Sequence, residues 1–147
     1  MSANKDKARL AALMREALNT GLELQRFSEE NFPVFLEDNE KKIVETLEQR
    51  EILIHRLVDL EKEIRLISDG FDLTDEERMP EFFENRRRLR LILDSVMAMD
   101  EKAKKLLEEK MRYYKTRTVS ARNKKNISAY IKSGAPDMTD NNVEYLK

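Results

Sequence analysis

Arg50 and Asp100 are the residues here whose types and spacing suggest chemistry: each interrupts an otherwise apolar helical stripe. A charge in such a stripe needs a partner, because an unpaired buried charge is expensive to desolvate. The chemistry on offer is therefore an ion pair rather than a reaction. His55 is the only histidine and has no nucleophile or carboxylate set arranged around it, so it reads as a helix-surface or core-edge residue. Ser28, Ser95, Ser120 and Ser128 stand in no nucleophile motif. Cysteine is absent, which excludes disulfides and thiolate chemistry. The acidic residues are spread as solvating charge rather than set at metal-ligand spacing. No catalytic residue, cofactor or metal is expected, and an enzyme is not the expected class.

The elements that must position the pair are long helices. In a first helix, about Lys5 to Glu30, Leu10, Leu13, Met14, Ala17, Gly21 and Leu24 recur at helical spacing. Gly21 lies inside that stripe, where it weakens the helix but permits a close neighbour. Asn31-Phe32-Pro33 breaks the pattern, and Pro33 can open the next helix. A second helix is expected from about Val34 to Ile67, with Ile43, Leu47, Arg50, Leu53, Ile54, Leu57, Leu60, Ile64 and Ile67 on its stripe. Ser68-Asp69-Gly70 should end it through a left-handed cap. Thr74 to Glu77 has capping-box spacing, and Pro80 suits the first turn of a third helix. That helix carries Phe82, Arg86, Leu89, Leu93, Val96, Asp100, Ala103, Leu107, Met111 and Tyr114. A cluster of weak helix formers, Thr116 to Ser120, then predicts a bend or break. A short amphipathic stretch with Ile127, Tyr130 and Ile131 follows.

Composition agrees with this class. Of 147 residues, 39% are charged and 40% apolar, with only three Gly and three Pro. That is the balance of amphipathic helices, not of sheets with frequent turns. The expected architecture is all-α: an antiparallel three-helix bundle whose C-terminal segment extends or folds back. One helical domain is expected over 1–132, with a flexible tail over 133–147. No apolar run approaches the roughly 18 residues of a membrane span, and no signal-like segment follows Met1 to Arg9. A cytoplasmic location without membrane insertion is the default.

Register sharpens the reading. If Ile67 faces Phe82 in an antiparallel hairpin, Arg50 falls opposite Asp100 to within a residue, so the two are expected to pair. By the same register Val34 stands level with Thr116, and the chain beyond overshoots the bundle by roughly 24 Å if helical. Ile127, Tyr130 and Ile131 then have nothing beside them. They must fold back or meet another molecule. Charge does not choose between these fates: residues 28–79 hold 16 acidic and 7 basic groups and residues 101–132 hold 3 acidic and 11 basic, so the two halves either attract, which helps the chain fold back on itself, or form two solvated faces of opposite sign. The basic runs at Arg86 to Arg90 and Lys115 to Lys125 could touch phosphate, but helical spacing scatters the first, and a pI of about 6.0 argues against nucleic acid.

Leu47-x-x-Arg50-x-x-Leu53-Ile54, Leu93-x-x-Val96-x-x-Met99-Asp100 and Lys125-Asn126-Ile127-Ser128-Ala129-Tyr130 occur in this order and spacing. Together, over most of residues 5–131, they resemble the FliT family of flagellar export chaperones, with the FlgN group close behind. The resemblance implies a small helical cytoplasmic protein. It would bind a flagellar secretion substrate, prevent premature assembly, and present the substrate to the type III export apparatus. FliT-like proteins are associated with the filament-cap protein, FlgN-like ones with hook–filament junction proteins. In the FliT group a C-terminal helix can mask the binding surface. The matched residues are Arg50, Asp100, Ala129 and Tyr130. Ile131 stands where a terminal glycine is expected, and the chain continues to Lys147, so both substrates stay open.

The uncovered segment makes Met111, Tyr114, Val119, Ile127, Ala129, Tyr130 and Ile131 the expected partner-binding residues, and a homo-oligomer is compatible with the stripes. The rival readings are a structural coiled-coil adaptor, and a small regulator that binds transcription factors or nucleic acid through the basic C-terminal third.

Overall fold

The first stripe forms α1, Ser2–Asn31, in a computed structural model that describes residues 2–69, 78–114, 125 and 127–131. The Gly70 cap, the Thr74–Glu77 box, the expected break at Thr116–Ser120, Val119 and the tail 133–147 lie outside the described residues. A 3-10 helix, Phe32–Leu36, follows α1, then α2, Glu40–Ser68, and α3, Pro80–Tyr114. Helical geometry returns over residues 127–131. No strand occurs among the described residues, and the long helices pack on one another as an all-α bundle.

The second helix begins at Glu40, six residues after Val34, the start that the sequence pattern predicts. Pro33 does open a helix, but a 3-10 one that ends at Leu36. Two local features delay α2. Glu37 is extended, at φ −84° and ψ 154°. Asn39 is also extended, and its side chain accepts the Lys42 N–H at 3.1 Å, which is an N-cap. At this end of the bundle Lys110 Nζ donates to the Glu37 carbonyl at 2.6 Å; Thr116, expected level with the start of the second helix, lies outside the described residues.

Ion pairs on the surface report helix direction. Arg9 reaches Glu63 at 3.0 Å and Arg56 reaches Glu23 at 3.1 Å, so α1 and α2 are antiparallel. Arg15 reaches Glu81 at 2.7 Å and Gly21 lies against Leu89, so α1 and α3 run the same way. These exposed pairs add at most about 1 kcal/mol each. The close backbone approaches are α1 with α2 and α1 with α3; α2 and α3 approach each other less closely. At Gly21 a Cβ would lie 2.5 Å from Leu89 Cδ1, which explains the glycine in the α1 stripe.

The apolar interior divides into two clusters. The first holds Leu10, Met14, Ala17 and Leu24 of α1, Ile54, Leu57 and Ile64 of α2, and Phe82, Leu89, Leu93 and Val96 of α3. The second lies beyond the end of α1. There Phe35 of the 3-10 helix and Ile127 complete a core with Ile43, Val44, Ala103 and Leu107. On α2 the clusters meet between Leu47 and Leu53, on α3 between Met99 and Ala103. Arg50 and Asp100 stand at that join.

Candidate functional site

The pair at the join is 4% and 6% exposed. Arg50 Nη2 donates to Asp100 Oδ2 across the α2–α3 interface. The 3-4 spacing of both stripes brings the two residues inward at one level, so the register argument and the geometry coincide. A third residue joins them. The Tyr130 hydroxyl donates to Asp100 Oδ1 at 3.3 Å, and its ring lies 5.4 Å from the Arg50 guanidinium carbon. That distance allows a cation–π contact. Burial pushes the Asp100 carboxyl above its ordinary range, while the Arg50 charge, its hydrogen bond and the Tyr130 hydroxyl oppose the shift. Burial, with the adjacent Asp100 charge, also raises the Tyr130 phenol, so it remains a protonated donor.

Of the two fates open to the C-terminal segment, residues 127–131 take the fold-back one. Ile127 is 0% exposed and sits in the second cluster. Full burial of such a side chain contributes about 1.5–3 kcal/mol. Tyr130 and Ile131 are half-buried against the same cluster, as is Met111. Ala129 is exposed. Tyr114 closes α3. Ile127, expected to meet a partner, is therefore a core residue in this conformation, because the early end of α1 leaves an apolar site that this segment and the 3-10 helix, among the described residues, fill.

Three positions escaped the stripe reading. Phe35, 6% exposed, lies in the break between helical patterns, where periodicity carries no signal. Ser28 reaches the join from the last turns of α1 and helps line a small cavity there with Asn31, Thr46, Arg50 and Asp100. Glu61 had a visible signal, since Ile54, Leu57, Glu61 and Ile64 keep a 3-4-3 spacing. It is 2% exposed, whereas Leu60 beside it is only half-buried. Among the described residues neither Glu61 carboxyl oxygen has a hydrogen-bond partner. Burial pushes this carboxyl up to about 7, against the opposing charges of Arg86 and Arg65.

The arrangement is a buried ion pair with a tyrosine and apolar side chains packed around it. His55 is exposed, 3.1 Å from Glu51 one turn away. Among the described residues no group of three or more His, Asp or Glu is placed to hold a metal. None of the described helices is long and apolar enough to cross a membrane. Among known proteins, no family model, curated relative or solved structure matches the chain.

Proposed function

We propose that this chain is a FliT-like cytoplasmic export chaperone. It holds a helical segment of a flagellar secretion substrate, the filament-cap protein first, and keeps it from assembling before export. The observation that carries this reading is the C-terminal segment itself. It occupies an apolar site framed by Phe35, Ile43, Val44, Ala103 and Leu107, at the bundle end that α1 does not reach. A site already shaped for a short amphipathic helix suits helix-in-groove capture, in which a few apolar anchors carry the affinity. Displacement of Ile127 and Tyr130 would open the site to a partner helix. The order and spacing of the three sequence motifs supply the flagellar part of the proposal.

Calorimetric titration of the full chain with the C-terminal segment of a filament-cap protein tests it. Binding is expected, and it should tighten about tenfold or more when Ile127→Asp weakens the docked segment. A folded chain that binds neither cap nor hook–filament junction peptides, in wild-type or variant form, overturns the reading in favour of a structural adaptor.

A further inference from the structure

Among the described residues, two buried polar atoms at the join between the two clusters, Ser28 Oγ and Arg50 Nε, have no hydrogen-bond partner. Buried polar atoms in folded proteins are nearly always satisfied, and a dry cationic N–H is among the costlier exceptions. Both residues line one small, partly open cavity of about 10 Å³. Asn31, Thr46 and Asp100 also border it, and apolar side chains close the rest.

We infer that this cavity is a binding site for one ordered water molecule, which bridges Ser28 on α1 to Arg50 on α2. Size and chemistry both select this occupant. Roughly 10–15 Å³ is the least space that holds a single water, so a cavity of this size has room for one at most. The Arg50 guanidinium disfavours a metal cation, and the Asp100 carboxylate disfavours an anion. Water matches the groups present: it accepts from Arg50 Nε, which is a donor only, and exchanges a hydrogen bond with Ser28 Oγ, which can donate or accept. Arg50 then has its Nη2 on Asp100, its face on Tyr130 and its Nε on water. The water also gives α1 a polar contact with a layer otherwise built from α2, α3 and the C-terminal segment.

A crystal structure of the full chain at atomic resolution tests this directly. Density for one water within hydrogen-bond distance of both Ser28 Oγ and Arg50 Nε is the expected result. A cavity empty of density, with the Ser28 hydroxyl turned onto a carbonyl of its own helix, overturns the inference. Magnetic relaxation dispersion in solution gives an independent count of long-lived internal waters. Ser28→Val, whose extra bulk fills the cavity, should lose one relative to wild type. An unchanged count in a Ser28→Val protein that melts cooperatively also overturns it.

Discussion

The Tyr130 hydroxyl reaches Asp100 at 3.3 Å, and so fastens the C-terminal segment to the ion pair that joins α2 and α3. One phenol thus couples local docking to the most polar point of the interior. Tyr130→Phe keeps the ring over Arg50 and removes only the hydrogen bond. A bond to a charged acceptor contributes about 1.5–3 kcal/mol. Amide exchange across residues 127–131 should therefore speed up about tenfold or more, while the thermal midpoint of the bundle moves little. Exchange unchanged from wild type would deny the bond any role in docking.

Arg50 and Asp100 should behave as a unit. Arg50→Ala leaves Asp100 buried and unpaired, and about 3–5 kcal/mol of stability should be lost. The double variant Arg50→Met with Asp100→Leu replaces the pair by apolar groups and should recover most of that loss. Urea unfolding of the two single variants and the double gives the coupling. Additive losses would show that the pair acts as two separate residues.

Glu61 makes stability depend on pH. Its carboxyl sits at about 7 in the folded chain against an ordinary 4.5, so the folded state binds the proton more tightly. The stability this confers is complete below about 4.5, falls as pH rises towards 7, and is gone above. Glu61→Gln, which stays neutral, should lack that fall. Its unfolding free energy should exceed that of wild type by a few kcal/mol at pH 8, with the gap closing below pH 5, order-of-magnitude values set by this linkage. Parallel pH profiles for the two proteins would place the Glu61 carboxyl in water rather than in the core.

Gly21 should tolerate one methyl group and no more. An added Cβ meets Leu89 Cδ1 at 2.5 Å, the movable end of a side chain. Gly21→Ala gains about 1 kcal/mol of helix propensity, and repacking of Leu89 offsets part of it. Thermal unfolding should therefore change little. Gly21→Leu must push α1 away from α3 and should cost about 1–3 kcal/mol or more. Equal midpoints for the two variants would mean that the helices are not closely packed there.

Arg50 and Asp100 were legible in the sequence because each is a polar break in a long periodic stripe, and two such stripes define a register. The all-helical class was legible for the same reason. The start of α2 was not, because Pro33 can open either kind of helix and only the extended Glu37 and the Asn39 cap decide between them. Phe35 and Ser28 were hidden because their burial depends on where α1 stops. Glu61 was passed over because its charge outweighed its spacing.

The division of the interior into two clusters has a consequence for the order in which the protein is completed. The first cluster draws on α1, α2 and the first half of α3, so it can form while the chain is still being made. The second joins Phe35 and Ile43 to Ile127, a long separation that raises contact order and slows closure. A nascent chain emerges N-terminus first. It should therefore hold a closed first core and an open second site until residues 127–131 have left the ribosome, so that covering the site is a late event relative to closing the first core.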